Sequence, residues 1–325
     1  MDRAGRVSHA GQPLWRRPGF YLHWIPRLAV IGLALWLLSW FAIGDSLRYL
    51  GFIHSGAFIY GLMGLLAAVI MAVRRDFIWA GLGAVLALGV LSHGNGYNMS
   101  AGEAAKEAGS IRVVSASLRG RNRQMEAAAE RLASYDADII AVQEVSDFAQ
   151  LSSALEKASG MKWQSVSKGP LSIFARGPVE YSTGEELDSV LKAQISYKGN
   201  PLAIWTIRAP KNYARPAENR AFSVALRNSA REEKPHFVVG DYNATQWNDS
   251  YVLMDAIMQN AQASAGLGQG SSFPARGRRS GILGAFARID HIFVRNDLKV
   301  HNAFTGQASA GADHHPVIAD VTVRP

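Results

Sequence analysis

The sequence predicts an α/β fold of two packed sheets with outer helices, preceded by about three membrane-spanning helices. Nearly all the long apolar runs lie in residues 26–91, in three blocks separated by short polar stretches. After residue 110, short β-favouring runs alternate with a few helical segments, which is typical of packed sheets covered by helices. With 325 residues, the chain is long enough for both parts.

Composition limits the functional classes only partly. Cysteine is absent, which excludes disulfides and thiolate metal sites. The formal net charge is +8, which permits a phosphate-bearing substrate but does not demand nucleic acid.

The first predicted regions are a basic, cytoplasmic N-terminus at 1–27 and a transmembrane region at 28–93. Its apolar blocks are 26–42, 50–73 and 77–91. A bilayer-spanning helix needs about 20 mostly apolar residues. The second block meets this length, the first nearly does, and the third needs the two residues that follow it. Three such blocks in succession favour insertion into a lipid bilayer over burial in a soluble core.

Basic residues predict the orientation of this region. Five arginines lie in residues 1–27, before and at the start of the first block, and Arg74 and Arg75 separate the second block from the third. The positive-inside rule places both groups in the cytoplasm. Three crossings then put the C-terminal domain on the non-cytoplasmic side of a bacterial-type inner or cell membrane. If block 77–91 does not cross, that domain stays cytoplasmic.

Residues 94–110 are rich in Gly, Ser and Asn and are predicted to be a linker, followed by a catalytic domain at 111–325. Predicted helices lie at 122–135, 146–158, 216–230 and 248–260. Predicted strands lie at 111–116, 137–142, 161–167, 171–176, 178–183, 190–197, 201–207, 288–294, 299–304 and 316–323, with one more that runs into Asp241.

Polar side chains accumulate at the ends of these strands. The apolar run 237–239 leads directly into Asp241 and Asn243, a carboxylate and a carboxamide. A carboxylate can bind a metal or take a proton from water, and a carboxamide can hold a phosphate oxygen. Both residue types are also ordinary in turns, so a structural turn remains open for this stretch alone. Asp290 lies inside an apolar strand, where a buried carboxylate needs a partner such as histidine.

Four motifs carry a family resemblance. The sequences Gln-Glu at 143–144, Gly-Asp-Tyr-Asn at 240–243, Arg-Ile-Asp-His-Ile-Phe at 288–293 and Ala-Asp-His-His-Pro at 312–316 occur in one order. Together they resemble the endonuclease/exonuclease/phosphatase superfamily over residues 110–325. The resemblance implies a four-layer α/β sandwich with a metal-dependent phosphoesterase site.

The resemblance also implies roles for individual residues. Glu144 and Asp313 would form the metal site for Mg²⁺ or Mn²⁺. The implied catalytic residues are Asp241 for the attacking water, Asn243 for the scissile phosphate, His314 for a phosphate oxygen, and Asp290 for holding the His314 ring.

Two positions depart from the family pattern. Ser117 stands where members usually carry asparagine at the end of the first strand, and Arg208 lies near a position that is often histidine. Ser117, Arg208 and Asn212 are therefore predicted to be substrate-binding residues. Arginine can bind phosphate with two nitrogens but cannot act as an acid near neutral pH.

These observations predict a membrane-anchored, divalent-metal-dependent phosphoesterase that contacts the bilayer through residues 28–93. Its substrate could be a nucleic acid, a phospholipid headgroup or a small phosphate ester. Arg276, Arg278 and Arg279 could follow a nucleic-acid backbone, meet anionic headgroups, or form a solvated loop. The alternative is a catalytically degenerate family member that acts as a membrane-tethered binding module, for which Ser117 is the best support.

Overall fold

A computed structural model describes residues 18–103, 106–182, 187–275 and 284–323. Most of the basic N-terminus and the arginine-rich loop with Arg276, Arg278 and Arg279 lie outside these residues. The chain forms two compact units: residues 1–43 with 57–93, and residues 44–56 with 94–325. The short stretch 44–56, predicted as part of the membrane region, therefore groups with the larger unit.

Residues up to 93 contain the helices α1 (Pro18–Ile43), α2 (Leu50–Ser55), α3 (Ala57–Val73) and α4 (Phe77–Ser92). The helices α1, α3 and α4 belong to the first unit and pack through small residues. A Cβ atom added at Gly64 would lie 2.7 Å from a methyl carbon of Leu33, and one added at Gly83 would lie 2.9 Å from Val30. Larger side chains at these glycines would force the helices apart.

The prediction of about three membrane-spanning helices is corrected to one candidate among the described residues. His23–Ile43, within α1, is 21 residues long and apolar enough to cross a membrane, whereas α3 and α4 have only 17 and 16 residues. The predicted block 50–73 breaks at Gly56, whose N–H donates to the Ile53 carbonyl and ends α2. Because of this break, the longest apolar run does not form a single helix of the length needed to span a membrane.

The second unit contains two mixed six-stranded sheets, which confirms the predicted α/β class. The first sheet has the order β13–β14–β2–β3–β5–β4 and the second has the order β10–β12–β9–β8–β7–β6. The strands are β1 (Gly96–Tyr97), β2 (Ile111–Ser117), β3 (Ile139–Gln143), β4 (Gln164–Lys168), β5 (Leu171–Ala175), β6 (Val179–Tyr181), β7 (Val190–Tyr197), β8 (Asn200–Arg208), β9 (Phe237–Asp241), β10 (Gln259–Asn260), β11 (Leu267–Gly268), β12 (Asp290–Val294), β13 (Lys299–Thr305) and β14 (Val317–Thr322).

Helices cover the outer faces of both sheets. They are α5 (Met125–Ala133), α6 (Phe148–Ser159), α7 (Pro216–Glu233), α8 (Asp249–Asp255) and α9 (Ala261–Ala265). One apolar core fills the space between the sheets, a second lies under α5 and α6, and a third lies under α7 and α8. Alternate strand residues point to opposite faces, so each central strand contributes to two cores and reads as a continuous apolar run.

The predicted linker contacts other residues of the second unit. Its strand β1 pairs with β11 of the second unit. The buried Arg288 guanidinium donates to the Gly94 carbonyl at 2.8 Å and to the Gln269 carbonyl at 3.0 Å. These contacts fix the start of the second unit beside the loop that leads to β12.

Candidate active site

Asp241 lies at the centre of the site because of sheet register. Asp241 is the last residue of β9. It is paired with Arg208 on the parallel strand β8 and with Asp290 on the antiparallel strand β12. The preceding Gly240 has φ +140°, and a Cβ atom there would lie 2.1 Å from the Ile207 carbonyl oxygen. Only glycine fits this approach between β8 and β9, so the Gly-Asp pair in the sequence has a structural cause.

Asn243 fixes the Asp241 carboxylate from the following turn. It adopts a left-handed conformation with φ 49°, which asparagine tolerates better than most residues. Its backbone N–H donates to Asp241 Oδ1 at 2.9 Å, and its side-chain nitrogen donates to Asp241 Oδ2 at 3.1 Å and to the Ala209 carbonyl at 2.9 Å. Both carboxylate oxygens are therefore held in place.

His314 lies against two buried carboxylates. Its Nδ1 is 2.8 Å from Asp290 Oδ2, and both side chains are buried. Burial opposes the charge on the ring, but Asp290 and Asp241 outweigh it and raise the pKa of His314 to about 10. Burial raises the pKa of Asp241 to about 7, against the attraction of the His314 charge. The site thus holds an imidazolium beside a carboxylate that titrates near neutrality.

Ser272 joins the two loops that carry this pair. Its hydroxyl accepts hydrogen bonds at 3.1 Å from the backbone N–H groups of Ile289 and Asp290, and its carbonyl accepts one at 2.7 Å from the N–H of His315. The next residue, Phe273, places its ring 5.0 Å from the His314 ring. The Asp290–His314 pair is therefore positioned by a segment that no sequence motif singled out.

Glu144 occupies the other side of the site. It follows β3 with φ 57°, and its Oε2 accepts from the Gly120 N–H at 2.9 Å. Its Oε1 is paired with the Arg208 guanidinium, with Nη2 at 2.7 Å and Nε at 2.9 Å. Burial opposes the charged form of Glu144, but the Gly120 N–H and Arg208 outweigh burial and lower its pKa. Glu144 is therefore ionised at neutral pH.

These groups open into one cleft of about 510 Å³. Cations and carboxylates line it together with apolar side chains, a composition suited to a ligand with one anionic and one apolar part. The charged and polar lining residues are Arg119, Arg121, Glu144, Arg208, Lys211, Asn212, Asp241, Asn243, Asp313 and His314.

Two of the predicted substrate-binding residues differ from expectation. Ser117 is buried and does not line the cleft, and no partner is found for its hydroxyl among the described residues. Asn212 lies on the cleft wall, but its side-chain nitrogen donates to Asp45 at 3.0 Å and to Asn219 at 3.4 Å. Arg208 lines the cleft, and its guanidinium is paired with Glu144.

Glu144 and Asp313 are the predicted ligands of a divalent cation. Both carboxylates line the cleft, and carboxylate oxygens are the ligands that Mg²⁺ and Mn²⁺ prefer. An ionised Glu144 keeps lone pairs beyond its bonds to Gly120 and Arg208. Ligand atoms of Asp241, Asp290 and His314 also lie within 4.8 Å of one another. An imidazolium has a proton on each nitrogen, however, so we assign this trio to hydrogen bonding and charge pairing.

Several cleft residues had no sequence signal. Arg119 and Arg121 precede α5 in a polar stretch, and the Gly120 N–H between them acts through the backbone. Phe52 and Tyr213 also line the cleft. Phe52 lies 91 residues before the nearest motif and Tyr213 follows the end of β8 by five residues, and an isolated aromatic residue in such a stretch reads as ordinary surface or core. Only the tertiary fold brings these residues to the motifs.

Known proteins resemble this chain in sequence and in fold. The sequence profile described as the Endonuclease/Exonuclease/phosphatase family matches residues 96–314. None of the curated proteins matches the sequence significantly.

Several solved structures share the fold. An endonuclease/exonuclease/phosphatase family protein from Bacteroides thetaiotaomicron has 17% identity and a TM-score of 0.52, covering 66% of this chain and 98% of its own. The mannosyl-6-phosphatase of Bacteroides thetaiotaomicron has 15% identity and a TM-score of 0.52, covering 66% and 100%. Truncated TDP2 from Caenorhabditis elegans has 16% identity and a TM-score of 0.53, covering 67% and 100%. At these identities, the likeness establishes the fold alone.

Proposed function

Because this chain belongs to the endonuclease/exonuclease/phosphatase family, we propose that it is a membrane-anchored, divalent-metal-dependent phosphoesterase. The observation that carries the proposal is the placement of His314 against Asp290 and Asp241, facing Glu144 in a cleft with several cations. Such a cleft suits an anionic phosphate, and the paired acid and base suit transfer of protons during ester hydrolysis.

The reaction is hydrolysis at phosphorus. A water oxygen forms a bond to phosphorus while the bond between phosphorus and the leaving alcohol oxygen breaks. Asp241 orients the water and accepts its proton, because burial holds the pKa of Asp241 near neutrality. The leaving oxygen takes up one proton, so water is divided between the two products.

The remaining residues hold the phosphate and balance its charge. Asn243 keeps Asp241 in place by donating its amide hydrogens to Asp241 and to the Ala209 carbonyl. His314 donates to a phosphate oxygen, and Asp290 holds its ring and its charge. Glu144 and Asp313 would hold a divalent cation, which would supply Lewis-acid stabilisation of negative charge on the phosphate oxygens. Arg208 places a fixed positive charge beside the same site.

The proposed anchor is α1. Its segment His23–Ile43 has the length and apolar character of a membrane span, and the arginines before it favour a cytoplasmic N-terminus. A single crossing places the second unit on the non-cytoplasmic side, as three crossings would. The second unit would therefore lie on the cytoplasmic side only if one of α3 and α4 crossed the membrane without the other.

An activity screen tests the proposed function. The full chain is purified in detergent and assayed on bis(p-nitrophenyl) phosphate, p-nitrophenyl phosphate, single-stranded DNA and phospholipid micelles. We expect turnover of at least one substrate with Mg²⁺ or Mn²⁺, loss in excess EDTA, and recovery when the metal is restored. A folded protein without turnover on any of them would support the degenerate binding module, for which the Glu144–Arg208 ion pair is the most specific observation.

A further inference from the structure

One wall of the cleft comes from the short stretch between α1 and α3. Gly51, Phe52 and Ser55 line the cleft together with the motif residues. Residues 44–56 belong to the same compact unit as the motifs, although the sequence connects them directly to apolar helices on both sides. The cleft is therefore completed by the part of the chain that follows the candidate membrane span.

Asp45 anchors this stretch to the second unit. Its buried carboxylate accepts hydrogen bonds from Asn212 Nδ2 at 3.0 Å, Asn248 Nδ2 at 3.0 Å and the Asp249 N–H at 2.9 Å. Gly51 makes the second contact, because a Cβ atom there would lie 1.5 Å from Asn212 Oδ1. These bonds join residues far apart in the sequence and define the position of the cleft wall.

The anchored stretch carries exposed apolar side chains, one of which, Phe52, lines the cleft. We call the exposed side chains of Leu47, Tyr49, Phe52, Ile53 and Tyr213 the lip. Between 41% and 59% of each of these side chains is exposed. The Phe52 and Tyr213 rings lie 6.5 Å apart, so two of the lip residues pack together where they line the cleft. Exposed large apolar side chains, two of which line a cleft, indicate contact with another apolar phase or molecule.

Covalent continuity brings a bilayer interface within reach of the lip. α1 ends at Ile43, so Leu47 lies no more than about 14 Å from the end of the candidate span. Tyrosine is enriched in the interfacial region of membranes, and basic side chains there meet anionic headgroups. The Arg48 guanidinium lies 5.0 Å from the Tyr49 ring centre, and the Lys211 ammonium lies 6.0 Å from that of Tyr213.

We propose that the lip lies in the bilayer interface and that the cleft hydrolyses phosphoesters carried by membrane lipids. The cations around Glu144 and His314 receive the phosphate, while Phe52 and Tyr213 contact the apolar part of the same lipid. Both halves of such a ligand match the mixed charged and apolar lining of the cleft. This inference rests on the proposed phosphoesterase function, but contact of the lip with lipid can be measured without turnover.

The first experiment uses the absence of cysteine in the natural sequence. The full-length variant F52C is labelled with an environment-sensitive fluorophore and reconstituted into vesicles of phosphatidylethanolamine and phosphatidylglycerol that contain acyl-brominated lipid. We expect quenching of the label by bromine. The matched control is Y181C, on the edge strand β6, where the native tyrosine is 56% exposed. Quenching at F52C no greater than at Y181C would overturn the proposed position of the lip.

The second experiment measures substrate preference. The quantity is the ratio of kcat/KM for lipid in these vesicles to kcat/KM for the soluble diester bis(p-nitrophenyl) phosphate. We expect Phe52→Ser and Leu47→Ser each to lower this ratio at least tenfold, whereas the control Tyr181→Ser keeps the wild-type ratio. Leu47 does not line the cleft, so its effect reports contact with the bilayer.

The outcomes separate this inference from the proposed function. Hydrolysis of the soluble diester or of DNA, with no hydrolysis of vesicle lipid, would contradict the inference and leave the phosphoesterase function standing. An equal loss on both substrates in the lip variants would also contradict it. Hydrolysis of neither substrate by the wild-type protein would contradict the proposed function itself, while the quenching experiment would still report on the lip.

Discussion

His314 Nδ1 lies 2.8 Å from Asp290 Oδ2, and both groups are buried at the end of the second sheet. This contact decides the chemistry of the site, because the carboxylate keeps the ring charged in surroundings that would otherwise neutralise it. It also leaves Nε2 as the ring nitrogen that can donate to a ligand. A charged donor beside Asp241 gives the cleft an acid and a base with separated pKa values.

Asp290→Asn tests this pairing. An amide keeps the shape of the side chain but cannot stabilise the imidazolium, so we expect kcat to fall about 100-fold with little change in KM. The control is Asp297→Asn, because Asp297 is exposed and pairs only with Arg295 among the described residues. Steady-state kinetics and thermal melting of both variants check the prediction. Unchanged kcat in Asp290→Asn would make Asp290 a structural residue.

The pH dependence of kcat/KM should be bell-shaped. Asp241 must lose its proton to act as a base, so activity should rise as the pH increases through about 7. His314 must keep its proton to act as a donor, so activity should fall as the pH increases through about 10. In Asp290→Asn the alkaline limb should move to lower pH, because the ring loses its main favourable charge. A profile that does not change between pH 5 and pH 11 would contradict the assignment of both groups.

Ser117 can be tested against a residue of the same kind. Neither the Ser117 hydroxyl nor the Ser172 hydroxyl has a partner among the described residues, and both are buried. An unpaired buried hydroxyl is destabilising, so Ser117→Ala and Ser172→Ala should each raise stability by about 1 kcal/mol. Neither variant should lower kcat or weaken metal binding, because neither hydroxyl lines the cleft. A lower kcat in Ser117→Ala alone would return Ser117 to the substrate-binding set.

Membrane insertion of α1 can be tested with a reporter fused after residue 110. Leu35 and Leu38 are 61% and 63% exposed on a helix that could cross a bilayer. We expect the wild-type fusion to report a non-cytoplasmic position. The double variant Leu35→Asp with Leu38→Asp should lose the non-cytoplasmic signal, because each carboxylate costs about 3 kcal/mol at the centre of a span. Met99→Asp, at an exposed apolar position of the second unit that the fusion retains, is the control. A cytoplasmic signal from the wild-type fusion would contradict a single crossing by α1.

Local patterns predicted most of the second unit. Strands such as β3 and β9 are continuous apolar runs because both of their faces are buried, and such runs are readable from the sequence. The tight approach of β8 and β9 requires Gly240, so the motif at the end of β9 also has a local cause. Strand ends and motif residues were therefore predictable without knowledge of the tertiary contacts.

The rest of the site depends on long-range contacts, which could not be predicted from the sequence. Asp45 bonds to Asn212 and Asn248, 167 and 203 residues away, and no local pattern marks a pairing at that distance. The break at Gly56 was missed because apolar residues continue on both sides of it. The pairing of Arg208 with Glu144 depends on contact between the two sheets. Each of these features arises from tertiary packing of residues that are individually unremarkable.

One comparison tests whether Asp241 and its neighbours catalyse metal-dependent hydrolysis of phosphoesters. Turnover of bis(p-nitrophenyl) phosphate is measured for the full chain and for Asp241→Asn, each with Mg²⁺ or Mn²⁺ and each in excess EDTA. We expect metal-dependent turnover by the natural protein and a loss of at least about 100-fold in the variant, with the same melting temperature or a higher one. Equal turnover by the two proteins, or full turnover in EDTA, would contradict it.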